Sequence, residues 1–196
     1  MKNENLHAVL EKILLWVEKL EIPLNKYLMD GENYEYIKNE LGKKLLLEPS
    51  AELLELYSWK NGVKITKDIY LDEIQFIPGY HFLSFQDAIS TYNNMKKNHD
   101  WNINWFPFMS NGGGDFYAIN LLNNENKINV VIGYLRGESE QIVEYECISS
   151  MFNTFLKDYE DGVIYKDKNG YLEIDDDDHL KNSITYNPSI NYESML

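Results

Sequence analysis

Residues 105–121 constrain the fold more than any other stretch of this chain. They read WFPFMSNGGGDFYAINL: an aromatic and apolar run, a polar Gly-rich segment, and a second apolar run with alternating parity. Two strand-like runs joined by turn residues predict a β-hairpin or a bulged strand pair. Glycine accepts positive φ angles that other residues resist, and a short carboxylate can accept hydrogen bonds from nearby amides. We therefore expect a positive φ at Gly112, Gly113 or Gly114, and backbone amides that donate to Asp115.

The glycine triplet and Asp115 have two interpretations. The functional interpretation is a nest for an anion or one corner of a metal site. The structural interpretation is a tight reversal of the chain that one carboxylate holds in place. We prefer the structural interpretation, because isolated glycine runs occur in many unrelated turns. The segment thus predicts a structural turn, with no metal and no cofactor.

The rest of the chain predicts short helices and strands in alternation. Apolar residues at helical spacing predict an amphipathic helix over residues 6–20, ending before Pro23, with its apolar stripe buried against the same chain. Further helices are expected near residues 34–41, 49–60, 84–95 and 149–161. Gly42 should end the first of these and Gly162 the last, and Ser84 and Ser149 are the expected N-caps. Asn169-Gly170 predicts a hairpin.

These elements suggest one domain with additions at both ends. We predict an N-terminal helical extension over residues 1–44, packed on the domain, and the α+β domain itself over residues 45–174. Residues 175–196 begin with four aspartates and continue as a polar segment. We expect them to form an acidic and loosely ordered tail.

The charge of the chain limits its partners. Lys and Arg number 18 against 32 Asp and Glu, so the formal net charge is −14. Binding to nucleic acid or to anionic membranes needs clustered basic residues, so both are disfavoured. An acidic chain instead favours a basic protein partner. The single Cys147 excludes an internal disulfide, and neither a secretory signal nor a membrane-length apolar stretch is visible, so we expect a cytoplasmic protein.

No pattern of residues in the sequence favours turnover over binding. The four histidines are far apart in sequence and lack the spacing of a zinc site: His7, His81, His99 and His179. Cys147 lies in a strand-like run without a neighbouring base, which indicates an inert buried thiol. The run from Asp175 to His179 lacks the glycine and the spaced ligands of a calcium loop. We predict no catalytic residues and no metal site.

The order of the motifs resembles that of a known family. A helix with Pro49 at its start and Asn61-Gly62 at its end precedes two strands and a Ser84-capped helix. The aromatic run, the segment GGGDFYAINL, a strand pair and a Phe-rich helix follow. This layout, over about residues 45–161, resembles the SUKH superfamily, which includes the fungal cell-wall-assembly regulators of Smi/Knr type. The resemblance implies an α+β fold, a mostly antiparallel sheet packed with several helices, and no known catalytic chemistry.

The resemblance also suggests two functions. Many bacterial members look like immunity proteins that bind and neutralise a toxin, and this is our preferred hypothesis. The alternative is an intracellular regulatory adaptor with no toxin partner; an uncharacterised hydrolase is a distant third. The aromatic residues that flank the two family-like motifs are the candidate contacts with a partner: Trp59, Trp101, Trp105 and Tyr117.

Overall fold

The computed structural model describes residues 5–121 and 129–192, and it has the predicted α+β architecture. The helices are α1 (Leu6–Lys19), α2 (Tyr34–Asn39), α3 (Ala51–Trp59), α4 (Phe85–Met95), α5 (Ile148–Asp161) and α6 (Asp176–Tyr186). The strands are β1 (Leu28–Asp30), β2 (Lys60–Val63), β3 (Gln75–Ile77), β4 (Tyr80–Phe82), β5 (Trp105–Ser110), β6 (Phe116–Asn120), β7 (Val131–Tyr134), β8 (Ile142–Tyr145), β9 (Ile164–Lys166) and β10 (Leu172–Ile174).

A six-stranded antiparallel sheet forms the centre, with strands β3 to β8 side by side in chain order. The predicted hairpin of residues 105–121 is confirmed as the pair β5–β6, in which Trp105 lies opposite Asn120 and Ser110 opposite Phe116. An irregularity between Pro107 and Met109 shifts the register of this pair. Two small sheets, β1–β2 and β9–β10, lie outside the central one, and β9–β10 is the hairpin predicted at Asn169-Gly170.

The N-terminal helix packs on the domain, as its apolar stripe predicts. Leu10, Ile13, Leu14 and Val17 are all buried, and α1 contacts α5 and α3. Asn5 caps the helix by accepting the N–H of His7 at 3.0 Å. Burial of this stripe removes apolar surface from water, which is the main favourable contribution to folding.

Three of the predicted helix ends are wrong. Helix α3 begins at Ala51 with Ser50 as its N-cap, so Pro49 precedes the helix rather than starting it. The second helix does not stop at Gly42: α2 continues into a π-helical turn, Glu40–Leu45, and this turn ends at Leu46, which is left-handed with φ of 59°. Helix α5 is capped by Cys147 rather than Ser149, because the Cys147 Sγ accepts the N–H of Ser150 at 3.4 Å. The predicted N-cap at Ser84 and the left-handed end at Gly162 are confirmed.

The C-terminal segment is more ordered than we expected. Within the described residues it forms α6, which packs against α5. The expectation was wrong because this polar segment is held by hydrogen bonds rather than by an apolar stripe. His179 and Asn182 both bond to the buried carboxylate of Asp158 on α5. Asn187 is also buried, and its side-chain Oδ1 atom accepts the backbone N–H of Glu146 at 3.0 Å. The boundaries of the three predicted regions remain predictions.

Candidate functional site

The Gly-rich turn between β5 and β6 has the predicted backbone. Gly112 has φ of 74° and Gly114 has φ of 114°, both in the region that L side chains rarely adopt. Leu71 packs over Gly112, where an added Cβ would lie 3.2 Å from the Leu71 Cδ1 atom. The missing side chains therefore allow both the reversal and the close approach of a neighbouring loop.

Asn111 organises this turn, a role that we predicted for Asp115. The Asn111 Oδ1 atom accepts three backbone N–H groups, from Gly113 at 2.8 Å, Gly114 at 3.1 Å and Asp115 at 3.0 Å. Its Nδ2 group donates to the Asp115 carboxylate at 2.6 Å. Asn is a common turn residue for this reason, and the signal was present in the sequence.

Asp115 joins the turn to the next loop of the sheet. Its Oδ1 atom accepts the backbone N–H of Arg136 at 2.9 Å. In the described part of the chain, no other backbone amide donates to the Asp115 side chain. The expected set of nearby amides therefore donates to Asn111 instead. The Asp115 carboxylate links the β5–β6 turn to the loop between β7 and β8.

A pocket of about 500 Å³ opens beside this turn. Met95, Phe116 and Tyr134 supply its apolar surface, and His99, Asp100 and Arg136 are polar groups in its wall. The Tyr134 hydroxyl donates to the Asp100 Oδ2 atom at 3.0 Å. The pocket therefore lies between the turn and the loop that joins α4 to β5, and it combines both charges with an aromatic surface.

The four aromatic residues predicted to contact a partner belong mostly to the core. Trp59, Trp101 and Tyr117 are buried, with 8%, 4% and 9% of their surface exposed. Trp101 packs edge-on against Trp105, with ring centroids 5.8 Å apart. Trp105 is only partly buried. Because Trp59, Trp101 and Tyr117 are buried, little of their ring surface is accessible to a partner, and the structure does not support them as contacts. Trp105 as a contact stays a prediction.

The helices α5 and α6 bring a serine, a histidine and an aspartate together. The His179 Nδ1 atom lies 2.6 Å from the Asp158 Oδ2 atom, and its Nε2 atom lies 3.4 Å from the Ser183 Oγ atom. The Tyr145 hydroxyl is also 3.2 Å from Nε2. Ser183 is only 2% exposed, so its hydroxyl cannot reach a substrate. The bond between His179 and Asp158 holds α6 on α5, and the Tyr145 hydroxyl joins α6 to β8.

The remaining candidate groups behave as structural residues. Burial, followed by the charge of Glu52, raises the pKa of the Cys147 thiol, which disfavours the reactive thiolate. His81 is buried, and desolvation lowers its pKa, so its neutral form is favoured. Among residues 5–121 and 129–192, no three His, Cys, Asp or Glu side chains form a group that could hold a metal ion. In the same residues, no helix is both long and apolar enough to span a membrane.

The fold and the turn together define an α+β domain whose six-stranded antiparallel sheet is flanked by helices. A sequence model of the SMI1 / KNR4 family (SUKH-1) matches residues 35–158, which is more than half of the chain. The chain belongs to this family. The match begins at α2 and ends inside α5, so α1, the β9–β10 hairpin and α6 lie outside it. A comparison with curated proteins gave no significant match.

Proposed function

We propose that this protein is a non-enzymatic binding module that neutralises a basic bacterial toxin by binding it in the cytoplasm. The observation that carries the proposal is the excess of negative charge on a fold of this family, with a formal net charge of −14. Among the described residues, the lysine salt bridges are Lys44–Glu40, Lys60–Asp30, Lys157–Asp161 and Lys181–Asp178. Most carboxylates of the described residues are therefore not paired with lysine and can attract a basic partner.

The first turn of α6 carries a well-defined part of that charge. Asp175 caps the helix by accepting the N–H of Asp178 at 3.1 Å, and the aspartates at 176 to 178 are all exposed. Asp178 pairs with Lys181, whereas Asp176 and Asp177 form no salt bridge within the described ranges. Because α6 is docked on α5, these carboxylates project from a fixed position on the surface.

The toxin part of the proposal rests on the family. Members of the superfamily that look like immunity proteins act by binding, and many toxin domains of that kind are basic nucleases. Opposite charges of this type mainly raise the rate of encounter, while buried contacts determine how long the complex lasts. The proposal therefore makes a kinetic prediction that does not require knowledge of the contact residues.

The test is stopped-flow binding to the product of an adjacent toxin-like reading frame. Association should slow markedly as salt rises, because the Debye length falls from about 30 Å at 0.01 M to about 3 Å at 1 M. Dissociation should change far less. Replacing Asp176 and Asp177 by Asn should slow association several-fold at low salt. Replacing Glu138 and Glu140 by Gln removes the same charge from the β7–β8 loop, and should have a smaller effect.

Three results would contradict the proposal in whole or in part. If the toxin-like protein does not bind at any salt concentration, the immunity function is wrong and the regulatory adaptor becomes the better hypothesis. If it binds with a salt-independent association rate, charge does not steer the encounter. If both double variants slow association equally, the acidic turn of α6 contributes no more to the steering than the β7–β8 loop does.

A further inference from the structure

Arg136 is the only arginine in the chain, and it lines the pocket beside the Gly-rich turn. Its backbone N–H donates to the Asp115 carboxylate, so the loop that carries it is tied to the turn. Its side chain crosses Gly114, where an added Cβ would lie 2.8 Å from the Arg136 Cδ atom. The glycine leaves room for this side chain, and the turn positions the guanidinium at the pocket.

The charge of the guanidinium has no ion-pair partner in the part of the chain that the structure describes. It forms no salt bridge within residues 5–121 and 129–192, although Asp100 lines the same pocket. A guanidinium offers a planar fork of donors that fits a carboxylate through two parallel hydrogen bonds. The side chain is therefore placed to receive a carboxylate from outside the protein.

The Asp100 carboxylate is also only partly engaged. Its Oδ2 atom accepts the Tyr134 hydroxyl, while Oδ1 has no hydrogen-bond partner among the described residues. An oxygen in this position accepts a bond from an ammonium group. The same negative charge, on a chain with a net charge of −14, works against a doubly charged anion such as phosphate. The two side chains together favour a ligand that carries one charge of each sign.

The apolar part of the pocket completes the ligand's description. Met95, Phe116 and Tyr134 present a thioether and two aromatic rings. The volume, about 500 Å³, is in the range of sites for small molecules. We propose that this pocket binds a free α-amino acid with an apolar side chain, its carboxylate on Arg136, its ammonium on Asp100 and its side chain on the apolar surface. The site needs no protein partner, so the proposal is independent of toxin binding.

Three matched probes test the assignment in an NMR titration of the ¹⁵N-labelled full chain. L-leucine carries both charges, 4-methylpentanoate lacks the ammonium, and L-leucinamide lacks the carboxylate. We expect L-leucine to shift the amide signals of Gly114, Phe116 and Gly137, which line the pocket. Each truncated probe should bind about tenfold more weakly or worse, since it lacks the charged group that contacts either Arg136 or Asp100.

Substitutions separate the two contacts. Arg136→Gln should weaken L-leucine and 4-methylpentanoate about tenfold and leave L-leucinamide unchanged, with Arg136→Lys intermediate. Asp100→Asn retains an acceptor for the Tyr134 hydroxyl, and it should weaken only the two probes that carry an ammonium. Lys168→Gln removes an exposed positive charge on the β9–β10 hairpin and should change nothing.

Any of three results would overturn the proposal. The first is that L-leucine produces no shifts at the pocket amides. The second is that all three probes bind with equal affinity. The third is that Lys168→Gln weakens the carboxylate probes as much as Arg136→Gln does, which would mean that overall charge governs their binding.

Discussion

Replacement of Asn111 by Ala tests how the Gly-rich turn is held. This change removes an acceptor of three backbone N–H groups and a donor to the Asp115 carboxylate. A net hydrogen bond contributes roughly 0.5–1.5 kcal/mol, so four would sum to about 2–6 kcal/mol. Water can replace part of this, because Gly113 is exposed. We expect Asn111→Ala to lower the free energy of unfolding by about 2–3 kcal/mol.

Urea denaturation measures this loss, provided that the slope of the transition stays the same as in the wild type. For a chain of this size, each kcal/mol corresponds to about 2–4 °C in the melting temperature. Asp115→Ala should cost less, about 1–2 kcal/mol, because it releases one backbone amide, that of Arg136, together with the Asn111 side chain.

Asn102→Ala is the matched control for this experiment. The Asn102 Oδ1 atom also accepts a backbone N–H, from Asn104 at 2.9 Å, but on an exposed loop. We expect it to cost no more than about 0.5 kcal/mol. The reasoning is refuted if Asn111→Ala unfolds at the wild-type midpoint, or if the control loses as much stability.

The remaining predictions concern the core and are checked by the same denaturation. Leu14→Ala should lower the free energy of unfolding by about 2–5 kcal/mol. The same substitution at its neighbour Leu15, which is 64% exposed, should lower it far less. Tyr57→Phe should be neutral or stabilising, since the buried Tyr57 hydroxyl lacks a partner among the described residues, whereas Tyr159→Phe should lose about 1 kcal/mol with its bond to the Phe76 carbonyl. Burial raises the pKa of both tyrosines above the ordinary value of 10.0, so the unfolded chain releases their protons first and stability should fall as pH rises above 10. A flat profile from pH 9 to 12, a costly Tyr57→Phe or equal losses at both leucines would contradict these expectations.

Several elements could be predicted because their signals are local. The apolar stripe of α1 recurs at helical spacing, and burial of Leu10, Ile13 and Leu14 follows from that period. The Ser84 cap is also local, because the Ser84 hydroxyl accepts the backbone N–H of Asp87, only three residues further on, at 3.0 Å. The β9–β10 hairpin follows from Asn169-Gly170 in the same way.

Two of the wrong predictions arose where neighbouring residues could each cap a helix or accept the backbone N–H groups of a turn. Asn111 and Asp115 both suit a turn, and only the path of the backbone decides that the three amides point to Asn111. Cys147 and Ser149 both lie shortly before Met151 and Phe152 of α5, yet the helix begins directly after Cys147, at Ile148. Sequence patterns locate a turn or a helix start within a few residues, but they do not choose the accepting atom.

The sequence by itself determined the fold class, the order of the main motifs, the resemblance to the family and the acidic charge. These depend on periodicity, turn chemistry and composition, which need no knowledge of distant contacts. Only the tertiary structure decided that Arg136 lies across Gly114 and that His179 of α6 bonds to Asp158 of α5. Such pairs form because sheet register and helix docking bring separate segments within a few ångströms, and a linear pattern contains no measure of that distance.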